Sequence, residues 1–410
     1  MATPKLRFKE FDGDWLLKSI NDISTKVGSG STPRGGSEAY VDEGIIFIRS
    51  QNVNDNQLIL DDVAYIPEST HAKMSGSKVL PNDILLNITG ASIGRSCVVP
   101  ETFSEGNVNQ HVCIIRTPND DPIFVQSFLS SENGQNHIQS KQVGGGREGL
   151  NFQAIRSIDF EMPSKEEQTK IASFLSTVDE KISQLTQKHE LLSQYKQGMM
   201  QKLFSQQIRF KADDGSEFGE WKITSIKDAV SFIKDGTHGT HQDDPSSNLF
   251  LLSAKNLQNG KIVTDEKDRK INQKEFDSIY KNYKLKDGDI LLSVVGTIGR
   301  VAIFKDYYES YAFQRSVAFM RFKKALPEFI YQSFLAKDFQ NELLVRQVVS
   351  AQPGIYLGDL SKIEIKLPCL EEQTKIANFL SAIDQKIEKV AQQVEQAKQW
   401  KKGLLQQMFV

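Results

Sequence analysis

One set of residues near the C-terminal end of this chain has the order that metal-dependent nucleases use. Asp359, Glu364 and Lys366 follow an acid…acid-x-Lys pattern, which can hold Mg²⁺ and orient a water molecule for phosphodiester cleavage. A matching segment 205 residues earlier carries Ala154 and Glu161 in place of the first acid and the lysine. The first copy therefore lacks the chemistry, and we expect an alternating, solvated strand in the second copy rather than a nuclease site.

Metal-binding residues are otherwise sparse. His238 and His241 could form half of a metal site, but their loop is rich in Gly and Thr and the other copy has no counterpart. The three cysteines, Cys97, Cys113 and Cys369, have neither metal-ligand nor disulfide spacing. We expect inert thiols in a reducing cytoplasm and no metal site.

The loops that bind cofactors are also missing. No Asn/Asp-Pro-Pro-aromatic tetrapeptide, the loop with which amino-methyltransferases hold a flipped base, occurs in the sequence. The glycines of 27–30 and 143–146 lack the strand–GxGxxG–helix context, and 90–95 lacks the lysine of a phosphate-binding loop. We therefore expect no catalytic residues and no cofactor bound by this chain.

Composition indicates a globular protein with a weak charge imbalance. The 410 residues include 50 Lys+Arg and 52 Asp+Glu, and no apolar run is long enough to span a membrane. Residues 1–164 carry 14 basic and 20 acidic side chains, whereas 206–368 carry 24 and 22. Contact with nucleic acid would thus depend on local basic clusters, with a partner supplying much of the phosphate contact.

The chain is an internal duplication. Segment 166–182 returns at 371–387 with thirteen of seventeen positions identical, 205 residues on. Shorter matches, including Ile93-Gly94-Arg95 with Ile298-Gly299-Arg300, keep similar offsets along the chain. Each copy therefore contains a globular domain followed by the same helical segment.

The two helical segments carry an apolar heptad seam that neither can bury alone. Its positions step alternately by 4 and 3, and only His189, Lys196 and Lys401 interrupt it. We expect the two segments to pair with each other, antiparallel, as a rod of roughly 60 Å for about 40 residues. The predicted pairing residues are Ile171, Leu175, Val178, Ile182, Leu185, Leu192, Ile376, Leu380, Ile383, Ile387, Val390 and Val394.

Short β-branched and aromatic runs with turn residues nearby predict strand-rich structure in each globular copy. The fold class expected is α+β: two tandem strand-rich domains separated by two long antiparallel helices, an intramolecular coiled coil with pseudo-two-fold symmetry. The expected boundaries are a first domain at 1–164, a first helix at 165–205, a second domain at 206–368 and a second helix at 369–410.

The duplicated motifs resemble the specificity subunit of type I restriction-modification enzymes. They are an L/I-R-F-K…W start, a D-I-L-L…I-G-R segment and a P-x-x-EEQ-x-K-I-A-x-F-L-S-x-x-D-x-K-I end. The resemblance covers essentially the whole chain in both copies, and the duplicated EEQ segment is its most specific element.

That resemblance implies a DNA-binding, non-catalytic role. Each globular copy would be a target recognition domain that reads one half of a bipartite, asymmetric DNA site, and the helices would set the spacer. Two modification subunits would dock on the helices, use S-adenosylmethionine and methylate adenine. Restriction subunits would add ATP- and Mg²⁺-dependent translocation and cleavage. The alternative that we keep open is a coiled-coil scaffold or adaptor without sequence-specific DNA binding.

Residues that read base edges should lie at matching places in the two copies and differ in identity. Arg and Lys bind guanine, and Asn and Gln bind adenine, through paired hydrogen bonds. Arg95 and Arg300 are shared and so suit a phosphate contact. The predicted DNA-binding residues are Gln51, Asn52, Arg95, Gln110, His111, Lys141, Gln142 and Arg147 in the first copy, and Lys255, Asn256, Arg300, Gln314, Arg315, Arg346 and Gln347 in the second.

Overall fold

The computed structural model describes residues 4–33, 35–142, 149–348 and 353–409 of the chain. It divides into two compact units. Unit 1 contains Met1–Gln187 and Ala391–Val410, and unit 2 contains Lys188–Val390. In the described ranges, no helix combines the length and apolarity that crossing a bilayer requires.

Unit 1 contains short strands, short helices and parts of two long helices. Its strands are β1 Leu16–Ser19, β2 Lys26–Ser29, β3 Ile45–Ile48, β4 Val53–Asn54, β5 Gln57–Leu58, β6 Ala64–Ile66, β7 Lys78–Val79, β8 Ile84–Asn87, β9 Ser96–Val98, β10 Gly106–Val108, β11 Val112–Arg116 and β12 Asp159–Met162. Its helices are α1 Ile20–Ile23, α2 Glu68–Lys73, α3 Pro122–Ser130, α4 Glu132–Ser140 and α5 Phe152–Arg156. The long helix α6, Lys165–Phe204, begins in unit 1.

Two four-stranded sheets form the body of unit 1. The first is antiparallel with the order β2-β11-β8-β9, and the second has the order β6-β3-β10-β7 with β3 and β10 parallel. Strand β8, which carries the Ile-Leu-Leu run of the sequence, is buried on both faces. Its residues therefore pack into two cores, one shared with α3 and the long helices and one between the sheets.

Unit 2 repeats this plan. Its strands are β13 Lys222–Ser225, β14 Val230–Asp235, β15 Leu249–Leu252, β16 Leu257–Gln258, β17 Lys261–Ile262, β18 Lys270–Ile271, β19 Ile290–Ser293, β20 Val301–Ile303, β21 Tyr311–Phe313, β22 Val317–Phe322 and β23 Glu364–Leu367. Its helices are α7 Ile226–Ala229, α8 Gln273–Tyr280, α9 Pro327–Leu335, α10 Lys337–Val345, α11 Leu357–Ser361 and α12 Leu370–Met408. The four-stranded order β14-β22-β19-β20 matches β2-β11-β8-β9, and a three-stranded sheet has the order β18-β15-β21.

The long helices pack antiparallel inside unit 1. The amide of Leu6 donates to the carbonyl of Gln407 in α12, and the neighbouring Arg7 binds Glu167 at the start of α6. Further along α6, Asp179 accepts from Lys401, which precedes Gln407 in α12. The residue numbers rise along one helix as they fall along the other, so the two run in opposite directions.

Unit 2 repeats this packing with the helix ends exchanged. The amide of Ile208 donates to the carbonyl of Lys202 in α6, and Arg209 binds Glu372 at the start of α12. Lys196 of α6 then pairs with Asp384 of α12. All twelve predicted seam residues are buried or half-buried.

The EEQ segment anchors each helix to the start of its own copy. Glu167 is 1% exposed and takes two hydrogen bonds of 2.7 Å from Arg7, and Glu372 is fully buried and takes bonds of 3.0 and 2.8 Å from Arg209. In both copies the carboxylate hydrogen bond raises the pKa of the arginine. A carboxylate buried without such a partner would be costly. The repeated spacing of the two motifs within the chain thus has a packing cause.

Candidate nucleic-acid interface

Four strand ends, and the three connections attached to them, meet at one edge of the antiparallel sheet of unit 1. Because neighbouring strands run in opposite directions, the ends of β2 and β8 lie beside the starts of β11 and β9. Three of the eight predicted DNA-binding residues of the first copy, Arg95, Gln110 and His111, directly precede the starts of β9 and β11. The surface formed there is called reading edge 1.

Gln110 and His111 lie at the centre of reading edge 1. Gln110 is exposed, accepts a hydrogen bond from Thr32 and lies with Nε2 2.9 Å from His111 Nε2. The other ring nitrogen of His111 is 2.6 Å from the hydroxyl of Thr89, which follows β8. The three connections are thus tied together through side chains that also offer donors and acceptors at the surface.

Gln51 and Asn52 lie beside this edge but differ in exposure. Asn87 at the end of β8 donates a 2.9 Å bond to the Ser50 carbonyl, which fixes the 50–52 turn. Gln51 is exposed and donates to Asp62. Asn52, in contrast, is 2% exposed.

The amide of Asn52 is used inside the domain. Its nitrogen donates to two backbone carbonyls at 2.9 Å, and its oxygen accepts from the Arg49 amide at 3.0 Å. Asn256 in unit 2 is 3% exposed and makes the matching bonds to the Val263 carbonyl, Asp268 and the Ser253 amide. We correct the sequence-based role of both: these asparagines stabilise a turn and leave no free polar atom for a base.

The Ile-Gly-Arg segment positions an arginine at each edge. Gly94 has φ +88° and Gly299 has φ +91°, a left-handed conformation that favours glycine. A Cβ on Gly299 would lie 2.2 Å from Gln340 Oε1, and one on Gly94 would lie 2.5 Å from Gln135 Oε1. The turn therefore requires glycine for both its backbone angle and its close contact.

The arginine after this turn differs in exposure between the copies. Arg95 is exposed, whereas Arg300 is half-buried and donates a 3.2 Å bond to the Lys255 carbonyl. In both copies, the amide of the last residue of β8 or β19 donates a hydrogen bond to the carbonyl of the arginine. This equivalent placement is compatible with the phosphate contact predicted for both arginines. That contact stays a prediction.

The loop that contains Arg147 lies outside the described residues. On its N-terminal side, Gln142 is half-buried and Lys141 donates a 3.2 Å bond to Ser157. Gly149 forms a bridge with Thr89, which brings the end of this loop to reading edge 1.

Unit 2 has an equivalent surface, reading edge 2, where β14, β22, β19 and β20 end or begin. Arg315 is exposed, and its amide donates to the Thr237 carbonyl at 3.0 Å. The adjacent Gln314 is half-buried and forms a bridge with Thr237. Arg315 therefore presents a guanidinium at the place that Gln110 has in unit 1.

Lys255 is the best-defined cation of reading edge 2. Its ammonium lies 2.7 Å from Asp268 Oδ1, and this hydrogen bond raises the pKa of Lys255. Burial alone would raise the pKa of Asp268, but the hydrogen bonds from Asn256, Lys255 and the Asp265 amide outweigh burial and lower it. The lysine is thus held in place and partly neutralised.

Arg346 and Gln347 lead toward the same edge. Both are half-buried, and Arg346 donates a 2.9 Å bond to Glu342 on its own helix. The following Val348 pairs with Gly354, which bridges to Val295 after β19. Residues 349–352, between them, lie outside the described ranges.

The sequence analysis missed one connection at each edge, the one after β2 or β14. A Cβ on Gly30 would lie 1.7 Å from the Val108 carbonyl oxygen, and one on Gly236 would lie 2.2 Å from that of Phe313. Because glycine has no side chain, each of these connections lies directly against the last residue of the strand that precedes the predicted DNA-binding residues. The available signal was a glycine at matching positions, 206 residues apart, in otherwise different loops.

The residues considered for nuclease or metal chemistry in the sequence analysis have other contacts in the structure. Glu364 and Lys366 are exposed residues of strand β23, and Asp359 pairs with Lys362 at 3.2 Å, as a solvated surface predicts. His241 lies between the Thr237 hydroxyl and Glu275, each at 2.6 Å. This hydroxyl–imidazole–carboxylate order resembles a catalytic triad. Its hydrogen bonds also hold the loop that contains Thr237 beside Arg315. In unit 1, the bond from Thr32 to Gln110 holds the equivalent loop.

The two buried thiols, Cys97 and Cys113, give no reason to expect chemistry. Burial raises the pKa of Cys97 and of Cys113 to about 12, so both remain protonated at neutral pH. Each reading edge instead offers the side chains that hydrogen-bond to bases and phosphates: Gln51, Gln110, His111 and Arg95 on one, and Lys255, Gln314, Arg315 and Arg300 on the other.

Known proteins resemble the chain along nearly all of its length. The type I restriction enzyme MjaVIII specificity subunit of Methanocaldococcus jannaschii is 27% identical over 414 residues, covering 95% of this chain and 93% of the relative. The type I restriction enzyme EcoBI specificity subunit of Escherichia coli is 23% identical, covering 93% and 82%.

A solved structure has the same fold. The crystal structure of the type I restriction-modification S subunit from M. genitalium superposes with a TM-score of 0.59 at 14% sequence identity, covering all of this chain and 99% of the other. This likeness confirms the predicted fold class of two tandem α+β copies with two long helices. The profile of the family described as "Type I restriction modification DNA specificity domain" matches residues 12–194 and again 219–399. Since the two matches cover more than half of the chain, the protein belongs to this type I restriction-modification DNA specificity family.

Proposed function

We propose that reading edge 1 and reading edge 2 each recognise one half of a bipartite, asymmetric DNA site. The chain is a DNA sequence-specificity subunit and is non-catalytic by itself. The observation that carries the assignment of the edges is their equivalence: the same strand ends carry different base-reading side chains in the two units. Gln110 in one unit and Arg315 in the other would select different bases at equivalent positions.

The two edges also differ in how they would attract DNA. Reading edge 2 presents two exposed cationic side chains, Arg315 and Lys255, whereas reading edge 1 presents one, Arg95, beside the uncharged Gln51 and Gln110. Phosphate contacts supply most of the sequence-independent affinity for DNA. We infer that unit 2 contributes more of this affinity and that partner subunits supply cationic contacts around unit 1.

The catalytic steps would belong to partner subunits. We propose that two modification subunits bring S-adenosylmethionine for adenine methylation, and that restriction subunits bring ATP- and Mg²⁺-dependent translocation and cleavage. The chain itself needs no catalytic cofactor for recognition. We place it in the cytoplasm because that is where cellular DNA and such partners meet.

Each long helix offers a surface for one modification subunit. Tyr195 on α6 is 51% exposed, and Trp400 on α12, at the matching position 205 residues on, is 54% exposed. Large exposed aromatic side chains are typical centres of protein interfaces. Equivalent aromatics on the two helices support docking of two copies of the same partner.

A selection from random duplexes tests sequence recognition directly. The complex assembled with this chain should enrich DNA with two specific segments separated by a fixed number of unspecified base pairs. A complex that contains this chain but enriches no sequence would favour the scaffold alternative instead.

A further inference from the structure

One histidine of unit 1 is buried against carboxylates. His71 in α2 is 1% exposed, with Nε2 3.2 Å from Glu105 Oε2 and Nδ1 2.5 Å from Asn107 Oδ1. Glu68 lies three residues earlier on the same helix. One oxygen of Glu68, one of Glu105 and a ring nitrogen of His71 all lie within 4.8 Å of one another.

The hydrogen bonds around Asn107 fix the protons of this histidine. Asn107 Nδ2 donates to the Met74 carbonyl and to Ser77 Oγ, each at 2.9 Å, so Oδ1 is the atom that faces His71. His71 Nδ1 must therefore carry a proton. In the neutral ring, Nε2 then holds a lone pair, and this lone pair faces a carboxylate oxygen of Glu105. Two acceptors face each other, and a positive charge is needed between them.

The nearby carboxylate of Glu68 distinguishes a proton from a metal ion as the source of this charge. Glu68 and Glu105 are exposed and His71 is buried, so a proton on Nε2 would engage Glu105 alone, whereas a divalent ion would bind an oxygen of each carboxylate together with Nε2. Two ligand atoms 2.0–2.1 Å from one tetrahedral zinc ion lie about 3.3 Å apart, close to the distance between His71 and Glu105. A ligating histidine commonly donates its other ring N–H to a side-chain or backbone oxygen, as His71 does to Asn107.

We propose that Glu68, His71 and Glu105 bind one divalent transition-metal ion of the Zn²⁺ type, with water completing the coordination. The imidazole ligand favours such an ion over Mg²⁺ or Ca²⁺. The ion joins helix α2 to the start of strand β10 and so stabilises the second sheet of unit 1. It has a structural role and is separate from reading edge 1.

In unit 2, an apolar side chain takes the place that His71 has in unit 1. The positions 205 residues on are Gln273, Phe276 and Ser310, which cannot form a comparable site. Phe276 is 7% exposed and stacks on Tyr280 at 4.3 Å. The site therefore revises the expectation of no metal for the first copy only. The residue pattern carries little signal for this site, because Glu-x-x-His followed by a distant Glu is common on helix surfaces.

Metal titration of the full-length chain tests this proposal. After removal of metals by a chelator, calorimetric titration with ZnCl₂ should show one ion per chain, and MgCl₂ should bind at least 100-fold more weakly. His71→Gln and the double variant Glu68→Gln/Glu105→Gln should each weaken Zn²⁺ binding by about 100-fold or more. His137→Gln is the matched control, because His137 forms an exposed pair with Asp159 at 3.8 Å and should leave binding unchanged.

X-ray absorption of the zinc-loaded chain keeps the test decisive if a variant fails to fold. One imidazole and only oxygen or nitrogen neighbours near 2.0 Å would support the site. A sulfur neighbour would indicate a cysteine site and overturn the proposal. Absence of stoichiometric Zn²⁺ binding would also overturn it and would leave His71 as a hydrogen-bonded partner of Glu105.

Discussion

The ammonium of Lys401 lies 2.6 Å from Asp179 Oδ1 and joins the two long helices inside unit 1. The lysine side chain is 11% exposed and that of the aspartate is 43% exposed. Lys196 makes the matching 2.6 Å contact with Asp384 in unit 2. The two lysines that interrupt the apolar seam are therefore paired across the helices, at equivalent places in the two units.

The unequal exposure of this pair predicts unequal costs of removing each partner. In Asp179→Ala the lysine stays buried without a counter-ion, and we expect a loss of about 2 kcal/mol in the free energy of unfolding. In Lys401→Met the seam gains an apolar side chain and Asp179 can turn to water, so the change should stay within about 1 kcal/mol. Chemical denaturation of the full-length chain measures both.

Lys402→Met is the control for Lys401→Met because Lys402 is exposed on the same helix turn. Equal losses for Asp179→Ala and Lys401→Met would mean that the ion pair, and not the buried lysine, determines the cost. That result would contradict our interpretation of the seam.

The glycine before Arg300 predicts a second stability effect. Gly299→Ala should cost about 2–3 kcal/mol, because the left-handed backbone costs roughly 1–2 and Gln340 must move away from the new methyl group. Gln340 would then lose its bonds to the Gly299 and Phe334 carbonyls, at 3.0 and 2.6 Å.

Gly296→Ala is the matched control for this glycine. Gly296 has φ +77°, and nothing lies within 4 Å of an added Cβ. We expect it to cost only the backbone part, roughly 1–2 kcal/mol. Thermal unfolding should rank the wild type above Gly296→Ala and Gly296→Ala above Gly299→Ala, and the reverse order of the two variants would refute the contact argument.

The duplication made much of the fold predictable. A repeat of thirteen identities in seventeen positions identifies two copies, and the heptad positions identify which helix faces are covered. The partners of the polar residues could not be read from the same pattern. Lys196 and Lys401 look like defects in a seam until Asp384 and Asp179 are placed beside them, because a heptad gives a residue's face and not its contacts.

The candidate site was predictable in place but less so in detail. Matching positions in the two copies led to the segments 109–111 and 313–315, with Gln110 matched to Gln314. The structure shifts this match by one residue and places Gln110 and Arg315 at equivalent, accessible strand ends. The same reasoning chose Asn52 and Asn256, because a polar residue after a strand looks the same whether its amide faces water or caps a turn. Burial is a tertiary property, and the sequence pattern does not contain it.

The low pKa of Asp268 predicts a pH dependence of unit 2. A carboxylate with a folded-state pKa below its unfolded value contributes stability above the unfolded pKa of about 4, and this contribution is lost as the pH falls through the folded-state pKa. We therefore expect Asp268→Asn to lower the unfolding free energy at pH 7 and to differ much less from the wild type near pH 3. Denaturation at the two pH values checks this, with Asp265→Asn as the control at the same turn.

The long helices predict how the spacer would change. Four residues inserted after Gln187 in α6 and four after Val390 in α12 lie at the boundary between the two units and leave the contacts within each unit in place. At about 1.5 Å per residue and 3.4 Å per base pair, the unspecified segment should lengthen by about 2 base pairs. Sequencing of selected duplexes measures the spacer, and altered half-sites at an unchanged spacer would contradict the proposed role of the helices.

Mapping of methylated adenines in cells that carry this chain and its modification subunits tests the two-edge account most directly. The wild type should produce one motif with two specific segments, Gln110→Ala should relax base preference in only one of them, and Arg315→Ala should relax it in only the other. Each variant should lose about 1–3 kcal/mol of discrimination, or roughly ten- to a hundredfold. If both variants changed the same segment, or if neither changed any base preference, the two edges would not be the readers of the two half-sites.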